Sequence, residues 1–178
     1  MMKLLQPCQD FGSLDEFIHF VEEKLKDQPR FYMCVAFYSK AGTEFQFFMP
    51  SEGDGPDAVY RSVAALTVAT RASRVFIGYM ADIAQLLGED LGPFQAVFFM
   101  AGRGGSPPYK FCKMIPEPDA WLVRPFATMD ERDPEDRIFL ADICDYIQSS
   151  PDSEVADARD GCKQWLPAYT WDWQSYDT

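Results

Sequence analysis

The chain has 178 residues, 47% of them apolar and 15% aromatic, enough to bury one substantial core and too rich in ring side chains for a disordered acidic segment. Its 28 acids against 16 bases leave a formal net charge of −12, a balance that repels nucleic acid and anionic membrane. No run approaches the roughly 20 apolar residues of a membrane span, and the opening MMKLLQPCQD lacks the apolar stretch and cleavage site of a secretory signal, so a soluble cytoplasmic protein is expected.

Residues 1–10 are expected to form a flexible lead-in. Ser13 followed by Glu16 is a capping box, and Leu14, Phe17, Ile18, Val21 and Leu25 recur at helical spacing, which predicts a helix over 14–26 closed before Pro29. His19 projects from the polar side of that helix, with no second histidine or cysteine at ligand spacing. RFYMCVAFYSK and TEFQFFMP then flank Ala41-Gly42 as a β-hairpin whose two faces are both rather apolar, so both faces are expected to be covered.

The acidic turn SEGDGPD leads into a helix over 56–71 whose alanines interleave with Val59, Val63, Leu66 and Val68; a helix apolar nearly all round is an interior one. RVFIGYM (74–80), FQAVFFMA, YKFCKMI and AWLVRPF read as strands from their β-branched and aromatic residues. A short helix is expected between the first two, from Asp82 to Leu87. The prolines around AWLVRPF make it an edge strand or strap. AGRGGSPP is a wide hairpin turn; it lacks the lysine and hydroxyl spacing of a phosphate loop, although Arg103 and Lys110 are the residues that would meet an anion there.

Asp133 as N-cap and Pro134 in the first turn open a helix that buries Ile138, Phe139, Ile143, Tyr146 and Ile147. SEVADARDG reads as a weaker helix closed by Gly161. In the tail, Trp165, Trp171 and Trp173 crowd into WLPAYTWDWQSYDT, and an extended tail would put Trp171 and Trp173 on one face, docked as an edge strand. The sum is a single α+β domain over 1–178. It has a central mixed, mostly antiparallel sheet of about five or six strands, with three or four helices packed on it, one of them the buried Ala-rich helix. A Trp-rich tail over 161–178 docks on the domain.

Catalytic signatures are missing. One histidine, no GxSxG, no HExxH and no dinucleotide glycine motif remove the common hydrolytic and redox classes, and five scattered cysteines without CxxC spacing are expected to be reduced and structural. No cofactor and no metal are expected. A carboxylate-based enzyme site built from Asp82, Glu44 and Asp119, or a small-molecule-sensing pocket between sheet and Ala-rich helix, are the alternative readings.

Charge gives the favoured one. Residues 1–116 carry 13 acids and 11 bases, whereas 117–178 carry 15 acids and 5 bases. The negative potential is therefore concentrated in the last third, and Asp130, Glu131, Asp133, Glu135 and Asp136 cluster within seven residues. Two or three of them complement a helix N-terminus; the cluster lacks the ligand spacing of a calcium loop. The reading is a non-enzymatic, inhibitor- or immunity-like module that binds and blocks a basic macromolecule through those carboxylates, with Trp171 and Trp173 as the aromatic anchor.

Overall fold

The structure is a computed structural model and describes residues 5–26, 31–48, 56–80, 95–102, 109–117, 120–125, 143, 147, 152–166 and 171–177. Helix α1, Leu14–Leu25, starts where the capping box places it: the Glu16 N–H donates to Ser13 Oγ at 3.3 Å, and Glu16 Oε2 accepts from the Gly12 N–H at 2.7 Å. One orphan donor of the helix start is thereby satisfied, and the Glu16 carboxylate reaches back to the residue before the N-cap. Its apolar stripe, Leu14, Phe17, Ile18, Val21 and Leu25, is buried, each side chain contributing about 1.5–3 kcal/mol.

Strand β1 is Gln6–Cys8, inside the expected lead-in, and β2, Met33–Ser39, and β3, Gly42–Phe48, form the predicted hairpin. Ser39 pairs with Gly42 across a two-residue turn. The Ser39 hydroxyl ties this turn, accepting from the Ala41 N–H at 3.2 Å and donating to the Gly42 carbonyl at 3.4 Å. Gly42 has φ +130°, a conformation that side-chain-bearing residues rarely adopt. Strands β4 (Arg74–Met80), β5 (Gln95–Gly102), β6 (Tyr109–Glu117) and β7 (Ala120–Pro125) complete the sheet.

The strand order is β1-β3-β2-β4-β5-β6-β7, and every pairing is antiparallel. The α+β class expected from the sequence is what the chain adopts, with the six read strands joined by β1 as a seventh. Because β3 and β4 both flank β2, they run parallel to each other, and helix α2, Pro56–Ala69, makes the crossover between them. Pro116 sits in β6 beyond Lys113, the last β6 residue paired with β5, so its missing N–H breaks no ladder bond to that neighbour. Strand β7 forms the sheet edge.

Alternation along the strands sends side chains to two cores. Met33, Val35, Phe37, Phe48, Val75, Ile77, Tyr79 and Ala101 face α2 and helix α3, Asp152–Trp165, together with Ile143 and Ile147, which are helical and buried. Cys34, Ala36, Phe45, Phe76 and Phe98 face α1. The result is a helix–sheet–helix sandwich. The α1 side is a web of edge-to-face rings: Phe17 meets Phe98 at 6.1 Å and Phe45 at 6.4 Å, and Phe11 meets Phe17 at 5.4 Å and Phe76 at 5.5 Å. Gly78, opposite Phe98, makes room for that ring; a Cβ there would lie 2.4 Å from Phe98 Cε1 and 2.9 Å from Cys34 Sγ.

Helix α2 buries Val59, Val63, Leu66, Val68 and Ala69, and its buried hydroxyls are satisfied locally. Ser62 donates to the Ala58 carbonyl at 2.8 Å, Thr67 to Val63 at 2.8 Å and Thr70 to Leu66 at 2.6 Å. The helix closes in a Schellman motif, with Arg71 N–H bonded to the Val68 carbonyl and Ala72 N–H to that of Thr67, both at 3.0 Å. Arg71 occupies the left-handed position at φ 50°, where glycine is usual, at a cost of about 1 kcal/mol.

Two expectations are corrected. Helix α3 runs through Gly161 to Trp165, because Val155, Cys162 and Leu166 continue one buried stripe past the glycine and outweigh its cost of about 1 kcal/mol. The tail's tryptophans do not extend as a strand; Trp173–Tyr176 is a single 3-10 turn that folds Tyr176 inward. The helices expected after Asp82 and over 138–147 lie outside the described residues apart from Ile143 and Ile147.

Candidate functional site

Segment 171–177 lies where the end of α2, α3 and β3 converge, and Arg71 just past α2, Arg159 of α3 and Glu44 of β3 hold it. Trp171 and Trp173 stack with centroids 4.5 Å apart and planes 6° from parallel, and both pack against the core under α2 and α3. The Arg159 guanidinium lies over the Trp173 ring at 5.2 Å. Arg159 also donates from Nε to the Ala69 carbonyl at 3.2 Å and grips Asp177 through both Nη atoms, at 2.9 and 2.6 Å. From the end of α2, Arg71 reaches Asp177 with Nε at 3.0 Å and Asp152 with Nη2 at 2.9 Å.

Tyr176 is buried, and its hydroxyl donates to Glu44 Oε2 at 2.6 Å, which fastens the segment to β3. Two shifts follow. The Arg159 and Arg71 guanidiniums hold the Asp177 carboxyl well below the usual carboxylate range, and burial, then the Glu44 carboxylate, pushes the Tyr176 phenol above its ordinary value. On the other side of β3 the Thr43 hydroxyl donates to Asp10, and burial with Asp10 and Glu44 nearby pushes the Cys8 thiol up to about 12. Such a thiol stays protonated and unreactive.

The outward surface of α3 is acidic. Asp152, Glu154, Asp157 and Asp160 are exposed, while Arg159 is turned inward with only 15% of its side chain exposed. Asp152, Asp160 and Asp177 are offset by Arg71, Lys163 and Arg159. Among the described residues Glu154, Asp157 and Asp172 form no ion pair and all three are exposed.

Of the site residues read from the sequence, Trp171 and Trp173 come together, half-buried against the core. Lys110 stands in β6 opposite Phe98. Asp130, Glu131, Asp133, Glu135, Asp136 and Arg103 lie outside the described residues, as do Asp82 and Asp119. Glu44, read as a carboxylate partner for those last two, accepts from the Tyr176 hydroxyl. The sequence reading missed Arg71, Arg159, Tyr176 and Asp177; they stand up to 106 positions apart, and no spacing rule connects them.

Among the described residues no group of three or more His, Cys, Asp or Glu side chains is placed to hold a metal ion, and no helix is long and apolar enough to cross a membrane. Comparison with protein-family models, curated proteins and solved structures gives no match.

Proposed function

We propose that this protein is an acidic interaction module that binds and blocks a basic macromolecular partner, presenting carboxylates to a surface built for phosphate. The observation that supports it is the geometry of α3: the arginine within it is drawn inward by Ala69, Trp173 and Asp177, while Glu154, Asp157 and, in the tail, Asp172 are exposed with no ion pair among the described residues. Uncompensated carboxylates on a folded, aromatic-rich scaffold steer a cationic partner and repel nucleic acid. We place the protein in the cytoplasm, a reading supported by Cys8, Cys34 and Cys162 being thiols.

The test is capture of basic proteins by the immobilised full chain at low and high salt, compared with two neutralised variants. One is Glu154→Gln/Asp157→Asn/Asp172→Asn; the other changes Asp130, Glu131, Asp133, Glu135 and Asp136 to their amides. A specific basic protein is expected to be retained at low salt, lost as salt screens the pair, and lost in at least one variant. Retention that ignores both salt and the substitutions refutes the proposal.

A further inference from the structure

Segment 171–177 is attached in an unusual way for part of a core. Its described backbone hydrogen bonds close its own turn, from Ser175 N–H to the Asp172 carbonyl at 3.3 Å and from Asp177 N–H to that of Gln174 at 3.2 Å. The described contacts that cross to the rest of the molecule are made by side chains: the Trp171 and Trp173 rings on the core, the Tyr176 hydroxyl on Glu44 and the Asp177 carboxylate between two guanidiniums. Aromatic anchors and a side-chain carboxylate received by arginines are a way in which a short linear peptide docks on a domain.

The receiving side also has anchors outside the segment. Arg159 donates to the last-turn carbonyl of α2, Arg71 sits in the Schellman turn and pairs with Asp152, and the Glu44 backbone is carried in the β2–β3 ladder. Of its charged contacts the Arg71–Asp177 pair is partly open to water, at 38% and 43% exposure, and contributes little by itself, whereas Arg159, at 15%, and the buried Tyr176 are covered.

We propose that the notch formed by Arg71, Arg159 and Glu44 is a peptide-docking site for a short aromatic segment that carries an aspartate side chain, occupied in cis by Trp171–Asp177 and open to a peptide of the same chemistry in trans. The notch is distinct from Glu154 and Asp157 on the outer surface of α3, while Asp172 belongs to the docked segment, and the notch's ligand carries the opposite charge to the partner proposed for those carboxylates. Cis occupancy lowers the apparent affinity for a second peptide by the fraction of molecules in which the notch is closed.

The experiment uses the full chain and a fluorescent peptide, WDWQSYD, read by anisotropy. Binding is compared between the wild type and a Trp173→Ala/Tyr176→Ala/Asp177→Ala variant, which vacates the notch but leaves its walls. The vacated variant is expected to bind the peptide at least tenfold more tightly. Adding Arg159→Ala, or replacing the peptide's last aspartate by asparagine, is expected to remove the gain. In the wild type, the Asp177 amide and the Trp173 indole N–H are expected to exchange with solvent faster than the Leu166 amide in α3. A folded vacated variant that gains no affinity overturns the proposal. So does a vacated variant that fails to fold, or exchange of Asp177 and Trp173 as slow as that of Leu166, since either makes the segment an integral part of the core.

Discussion

Replacing Gly78 by alanine sets two physical effects against each other, and the geometry decides the sign. Gly78 does not lie in the left-handed region, so alanine fits its backbone, and the loss of chain freedom in the unfolded state alone would stabilise the protein by about 0.4–1 kcal/mol. The new Cβ, however, would lie 2.4 Å from Phe98 Cε1, 2.6 Å from Phe98 Cδ1 and 2.9 Å from Cys34 Sγ. Phe98 and Cys34 are fully buried, and the Phe98 ring is held edge-on by Phe17, so neither neighbour yields cheaply. Overpacking of this kind costs about 1–3 kcal/mol, which leaves a net loss of roughly 2 kcal/mol at the upper end. In a domain of this size that is a fall in Tm of roughly 4–8 °C.

Gly102→Ala is the matched control on the neighbouring strand. Its Cβ would come no closer than 3.8 Å to Arg74 Cγ, so the entropic effect acts alone and Tm is expected to hold or rise. Thermal unfolding followed by near-UV circular dichroism reads both variants. If Gly78→Ala is as stable as the wild type, or more so, the tight Gly78–Phe98 packing is refuted.

The remaining predictions concern the ends of the chain. Asp177 titrates below its unfolded value, so its contribution to stability is present above about pH 4 and is lost as pH falls below that; Asp177→Asn is expected to flatten the acid limb of urea midpoints measured from pH 7 to pH 3, and superimposable limbs would disprove the assignment. Tyr176 titrates above its unfolded value of about 10, so its contribution holds below that pH and is lost as pH rises past it. Tyr176→Phe is expected to remove that alkaline loss and to cost about 1 kcal/mol at neutral pH through the vacated Glu44 bond. Ser13→Ala removes the acceptor for the Glu16 N–H and is expected to cost about 1 kcal/mol in chemical denaturation; an unchanged midpoint would show that the capping box is idle.

Much of the fold was legible because its signals are local. Ser13 and Glu16 fix the start of α1 whatever else the chain does, Gly42 fixes the β2–β3 turn, and the apolar runs between glycines and prolines mark β4 to β7. Gln6–Cys8 escaped that reading because three residues carry no period; it is a strand only because the outer edge of β3 offers it a ladder. Helix α3 outran Gly161 for a related reason, since a buried stripe counted across the glycine outweighs a local preference that the sequence alone displays.

The candidate site divides along the same line. The sequence by itself determined that charge collects in the last third and that Trp171 and Trp173 stand two residues apart, properties of composition and neighbourhood. Only the tertiary structure decided that Arg71, Arg159 and Glu44 meet around Tyr176 and Asp177, because the β3–α2–β4 crossover and the packing of α3 on α2 bring together residues between 18 and 132 positions apart. Contacts at that range depend on how whole elements pack, and a linear reading measures only the spacing within each one.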